Sequence, residues 1–352
     1  MPLVIKPMRI LSLLLLLLPA VVMGQKGRPA PPPPVIERPT LSTKDLQKIK
    51  LMEDTLHRLS NLFTEDTIAD NRKKACYNFI PKFVNALKTD NSFYYPFDSF
   101  ETVAKVYAPD SSFRIFTWQL YFSMPVKLAG KNGKDTILQR PIIRYYGVIQ
   151  MKSKELKMYP LFDAGDTLKY GTQQILSNDN WWGQLYYNII QKTVNGKTYY
   201  TTFGFEAADP LTRRKIIDIL TFDKTGKPVF GAPMFYFKHT DSSQVKEIDT
   251  LTRFFIEYKH NASTILNYDQ EKEMIVFDHV APPNDKSTGA TFTYVPDGTY
   301  EGFVWTNNRW NWVEQVFTFG INEMDNPPIP APLFGDPKRQ PEMPGDPPKK
   351  DN

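Results

Sequence analysis

The tightest constraint on this chain is the dipeptide Asn195-Gly196, set between two runs rich in Tyr, Ile, Thr and Phe. Asn and Gly tolerate the positive φ that a two-residue type I′ turn demands, so the flanking runs are predicted to fold back as a hairpin. A second reversal is expected at Asp223, Lys224, Thr225 and Gly226, after the run 215–222, with Gly226 suited to a left-handed bulge position. Residues 180–231 therefore read as a four-stranded antiparallel meander. Strands before and after it read as additions to the same sheet.

Upstream, Ser42, Thr43, Lys44 and Asp45 resemble a capping box, and Leu46, Ile49, Leu56, Leu59 and Phe63 recur at the spacing of one helix face. A second periodic run carries Ile68, Cys76, Phe79, Phe83 and Leu87, with a kink expected at Pro81. A helical hairpin is predicted over 42–91, its apolar stripes packed on a β body. From Phe93 onward the texture changes to short aromatic and β-branched runs. Strands are expected at 102–107 and 113–122 around a proline-led turn, at 123–128 before an Asn132-Gly133 turn, and at 142–150 and 156–161. Beyond the meander, 253–258 and 263–268 flank a turn at His260, Asn261 and Ala262, and 273–280 is a further strand. Runs 291–294 and 300–306 surround Asp297-Gly298, and 310–319 closes the series. No repeat near 40 residues, which would mark a propeller, is present. The expected fold is mainly β: a large antiparallel sheet, barrel or sandwich over 92–325 with an N-terminal helical hairpin, α+β overall.

Lys6 and Arg9 precede an unbroken apolar run at 10–18, Pro19 breaks it, and Val22, Met23 and Gly24 offer a cleavage site before Gln25. Residues 1–24 are read as a secretory signal peptide, so the chain is expected to be exported to the periplasm, the outer envelope or the exterior. No other stretch approaches the roughly 20 apolar residues of a membrane helix, and no integral span is expected after cleavage. Pro-rich segments at 25–41 and 326–352 read as a stiff linker and a disordered tail. Cys76 is the one cysteine, which excludes an internal disulfide, a CxxC redox site and a multi-cysteine zinc site. The formal charge is +5, and loss of Lys6 and Arg9 with the signal lowers it by two. No long Lys/Arg block occurs, so nucleic acid is not an expected partner.

Catalytic signatures are missing. The four histidines, His57, His239, His260 and His279, form no HExxH or HxH pair. Asp278-His279 is the best candidate metal pair, although adjacent strand residues point to opposite faces unless a bulge intervenes. There is no GxSxG, GxxxxGK[ST] or GxGxxG, and no cofactor is expected. Glu206, Asp209, Asp218, Glu257, Asp278 and Glu301 could supply acid–base chemistry only if the fold assembles them.

Binding residues are easier to nominate. Trp181, Trp182 and Trp305 offer flat aromatic faces on which sugar rings or protein surfaces stack, or else they belong to the core. Arg213 and Arg214 follow an Asp209-Pro210 turn, where one could clamp an anion or pair with Asp209 or Glu206 to fix the corner. The expectation is a non-catalytic binding or structural module of the cell envelope, with a glycan, a peptide or an envelope protein as partner. The alternative is a hydrolase with fold-assembled carboxylates or a small metal site at Asp278 and His279.

The segments NGKTYYTTFGF (195–205) and LTRRKIIDILTFDKTGKPVFG (211–231), with SSFRIFTW (111–118) and a signal peptide ending before Gln25, resemble a family of secreted proteins from Bacteroidota with no assigned activity. The resemblance covers about half the chain and rests on strand-and-turn patterns. It implies an envelope or extracellular location in a Gram-negative bacterium, and it carries over no site residues.

Overall fold

Two antiparallel helices form the first layer of the computed structural model, which describes residues 40–128, 135–168, 171–237 and 249–316. The expected signal segment, nearly all of the 25–41 linker, the 132–133 turn and the 326–352 tail lie outside the described residues. Helix α1 (Thr43–Glu65) starts where Ser42 Oγ accepts the Asp45 amide at 3.1 Å, as a capping residue should. Helix α2 (Ala69–Leu87) runs on past Pro81. Their apolar stripes meet through Leu56, Phe63, Phe79 and Phe83.

Beneath them lies an antiparallel sheet of β1 (Ala104–Tyr107), β2 (Phe113–Leu128), β3 (Thr136–Met151) and β4 (Met158–Phe162). The runs expected at 113–122 and 123–128 are one continuous strand. Strand alternation splits its side chains: Phe116, Trp118, Leu120 and Phe122 face the helices, with the Phe83 and Phe116 rings 4.9 Å apart edge to face. Phe113 and Ile115, with Tyr145 and Ile149 of β3, face the other way into a second core. The outer halves of β2 and β3 outrun this cover. Met124, Leu128, Ile137 and Leu138 are exposed on a two-stranded arm.

The third layer contains the predicted meander: β6 (Leu185–Val194), β7 (Lys197–Glu206), β8 (Thr212–Phe222) and β9 (Pro228–Phe230), with β5 (Leu176–Ser177) beside β9. Asn195 and Gly196 take φ of 50° and 77° between paired Val194 and Lys197, the geometry expected of a type I′ hairpin. At the second reversal the Gly226 amide donates to the Asp223 carbonyl, and the Asp223 carboxylate accepts the Thr225 and Lys227 amides. This sheet is covered on both faces. Ile216 and Leu220 join the core under the first sheet, while Ile217 and Ile219 join a third core.

The fourth layer is built from β10 (Phe235–Phe237), β11 (Asp249–Leu251), β13 (Leu266–Asp269), β14 (Met274–Ala281), β15 (Val295–Thr306) and β16 (Arg309–Val313), ordered β11-β10-β16-β15-β14-β13. The intervening strand, β12 (Arg253–Lys259), pairs with β8 instead. This corrects the expected pairing of 253–258 with 263–268: the 260–262 turn carries the chain from one layer to the next. The run at 291–294 is a 3₁₀ turn, and Asp297-Gly298 is a bulge within β15 rather than a hairpin tip, since Asp278 pairs with Tyr300 but Val280 with Pro296. Strands make up 47% of the described residues and helices 22%, which makes the fold mainly β; among these residues the sheets stack as open layers and do not close into a barrel. Among the described residues no helix is long and apolar enough to cross a membrane.

Candidate functional site

The link from β7 to β8 forms a corner at Ala207, Ala208, Asp209, Pro210 and Leu211. The Asp209 carboxylate accepts the amides of Leu211 and Thr212 at 2.7 and 2.9 Å, closing an Asx-type turn. The Ala207 amide donates to the Tyr145 hydroxyl at 2.6 Å and ties the corner to the first sheet. Arg213 and Arg214 leave this corner on β8, where alternation sends them to opposite faces.

Arg214 turns inward. Its guanidinium donates to Glu206 Oε2 at 2.5 Å and to Glu257 Oε1 at 2.5 and 2.9 Å, and lies over the rings of Trp182 and Phe255. Burial works against its charge, but the two carboxylates outweigh burial and hold its pKa above the ordinary arginine value. Glu206 is also shifted upward, because burial outweighs the attraction of Arg214 and the hydrogen bond from Trp182 Nε1 at 3.0 Å. With every strong donor and acceptor matched internally, Arg214 fixes the corner.

Arg213 faces the other way. Its Nη1 reaches only the carbonyls of Asp209 and Thr212, at 3.1 and 3.3 Å. It lines a cavity of about 750 Å³ between the corner and the root of the β2–β3 arm. Arg140 of β3 lines the same cavity and has no carboxylate partner among the described residues. Of the two carboxylates on the wall, Asp209 is occupied by the turn amides, and Asp166 is bonded to Arg144 at 3.1 Å. Tyr121, Pro141, Ile142, Ile143 and Pro210 supply the apolar wall. The result is a hollow of mixed polarity with two guanidinium groups on its wall, that of Arg140 exposed, a set of groups suited to an anion.

A second cleft, of about 380 Å³, is lined by Glu257, Asp278, His279 and Glu301 among aromatic residues. The bulge in β15 brings Asp297 Oδ2 to 2.6 Å from His279 Nδ1, and Glu301 Oε1 stands 3.7 Å from Nε2. Burial raises the Glu301 pKa, while Ser- and Thr-type turn chemistry dominates at Asp297: burial there would raise the carboxyl, but the Thr299 amide and hydroxyl and His279 outweigh it and lower it. Asp278 is not available to a ligand, because its Oδ2 accepts the Ile265 amide at 2.6 Å and it is buried. Among the described residues, no group of three or more His, Cys, Asp or Glu side chains is placed to hold a metal ion. The weak metal candidates Asp278 and His279 thus serve different partners. Cys76 is buried, and burial pushes its thiol up to about 11, away from nucleophilic use.

The aromatic candidates lie mostly inside. Trp181 is fully buried with its indole N–H donating to the Tyr186 hydroxyl at 2.8 Å, and Trp182 packs on Phe255. Neither has the open face that ring stacking requires, which corrects their assignment as ligand platforms. Trp305 is half-buried against Trp310 with Lys192 over its ring. Arg214 takes the second of the two roles expected at this corner, pairing with Glu206, and is not left to clamp an anion. Of the nominated residues Arg213 and Asp209 line the larger cavity. Arg140, Tyr121 and Asp297 were not foreseen, and no local motif marks them. The chain was compared with protein-family models, curated proteins and solved structures, and it matches none of them.

Proposed function

We propose that this chain is an exported, non-catalytic binding module of the cell envelope whose ligand is an anion carried on an apolar body. The observation that supports this reading is the pair Arg140 and Arg213 on one partly apolar cavity, neither neutralised by a carboxylate among the described residues. A guanidinium left without a counter-charge in a concave site favours a carboxylate or phosphate on an incoming molecule. Sugar stacking on Trp181 and Trp182 is set aside with their burial, so a glycan ligand would have to be acidic. The test is thermal unfolding of the chain from Gln25 with acidic polysaccharides, fatty acids and organic phosphates. Binding to the native state raises Tm by several degrees at saturation. The Arg140→Gln and Arg213→Gln variants should lose that shift while keeping the unliganded Tm. An unchanged shift in both variants would refute the site.

A hydrolytic reading is favoured by one observation, the His279–Asp297 pair beside Glu301 with its raised pKa. It predicts turnover of chromogenic esters or glycosides that Glu301→Gln abolishes. Equal turnover in wild type and variant, or none in either, removes it.

A further inference from the structure

The larger cavity has a feature that a simple anion site does not need: one wall is an open sheet edge. The Tyr145 amide donates sideways to Asp163 Oδ2 at 3.0 Å, away from β2. In a strand the outward-pointing backbone groups recur at every second residue. Ile143 and Pro141 therefore point the same way as Tyr145, past the end of β4, whose pairing with β3 stops at Tyr146 and Phe162. The partner strand agrees with this parity. Tyr121, opposite Ile143, turns its carbonyl outward to Arg72 Nε at 2.8 Å.

At the cavity the edge thus offers the Ile143 N–H, the Ile143 carbonyl and the Pro141 carbonyl, and then stops donating, because Pro141 has no N–H. A long strand could not be added here, but two or three residues of one could. The ligand's extent is therefore short, and Arg140 and Arg213 line the same cavity as this edge. We propose that the cavity holds the C-terminal end of an extended peptide. Its backbone pairs with β3 at Ile143, its terminal carboxylate meets Arg140 and Arg213, and its last side chain lies against Tyr121 and Pro210. This rests on the reading of the cavity as a binding site and names its substrate class.

The experiment uses a pool of N-terminally labelled, mixed-sequence hexapeptides and measures equilibrium binding to the chain from Gln25 by fluorescence polarisation. Three forms are compared: free C-terminus, amidated C-terminus, and free C-terminus with the penultimate amide N-methylated. Hexanoate serves as an anion without a peptide backbone. Amidation should weaken binding about tenfold, the size of one charge-assisted contact, and N-methylation should weaken it several-fold. Arg140→Gln and Arg213→Gln should weaken the free acid but not the amide. If hexanoate binds with the same arginine dependence while peptides bind no tighter, or if N-methylation has no effect, the peptide inference is overturned and the anion site stands. If neither hexanoate nor any peptide binds, both are overturned.

Discussion

Arg213 and Arg214 are neighbours in sequence and opposites in surroundings. The inward face of the corner gives Arg214 two carboxylates and two aromatic rings, whereas the outward face gives Arg213 two peptide carbonyls and a cavity. Other enclosed arginines follow the inward pattern. Arg253 donates to Asp218 at 3.0 Å and to the carbonyls of Gly171 and Gln174, and Arg114 donates to Gln150, Tyr107 and the carbonyls of Ser92 and Tyr95. Where this fold encloses a guanidinium it surrounds it with acceptors, as desolvation requires. Arg213 is half-buried with only two peptide carbonyls and Arg140 is exposed, and both line the same cavity with no carboxylate partner among the described residues.

The largest expected difference is in stability. Arg214→Met leaves Glu206 and Glu257 partly buried without their cation and should cost about 3 kcal/mol. Arg213→Met removes no internal carboxylate contact and should stay within about 0.5 kcal/mol of wild type. Urea unfolding of both variants decides the matter. Similar losses in the two would mean that both arginines are structural and would break the contrast on which the binding reading depends.

Half of that contrast was readable from residues alone. Alternation along 213–214 and the Asp209-Pro210 turn are local, as are the Asn195-Gly196 hairpin and the helix stripes, and each was placed correctly for that reason. Which face of β8 is closed is not local. It depends on β12 arriving from 253–259 to bring Glu257, and the sequence suggested instead that this strand pairs with its successor. For Trp181 and Trp182 the residues left ligand platform and core both open, and the covering sheet that decides for the core comes from residues far upstream. Arg140 carries no signal at all: an isolated, exposed arginine before a proline looks like any solvated strand residue until the fold sets it beside the corner.

A smaller effect tests the closed face from its aromatic side. Trp182→Phe keeps most of the ring packed on Phe255 but removes the indole donor to Glu206. The expected cost is about 1–2 kcal/mol, that of a hydrogen bond to a buried carboxylate. Trp305→Phe removes no partner of the corner and should cost less. A Trp182→Phe variant as stable as wild type would mean that Glu206 is held by Arg214 alone.

The smallest effects are in pH dependence, and their signs should differ between closed and open carboxylates. Glu206 is raised by burial, so the folded protein holds its proton more tightly than the unfolded chain does. Its contribution to stability is full below the unfolded carboxyl pKa of about 4.3 and is lost as pH rises through the folded value. Asp110, in the exposed turn before β2, is the opposite case. Burial would raise it, but the hydroxyl and amide of Ser112 and the Tyr200 hydroxyl, at 2.7 to 3.0 Å, outweigh burial and lower it. Its contribution is full above about 3.9 and is lost as pH falls through the folded value. Relative to wild type, Glu206→Gln should therefore gain stability as pH is raised from acid to neutral. Asp110→Asn should lose stability over the same rise, because only the charged form of Asp110 makes its bonds well. Urea midpoints of the two variants across this range should diverge from wild type in opposite directions. Parallel trends would mean that Arg214, and not burial, sets the protonation of Glu206.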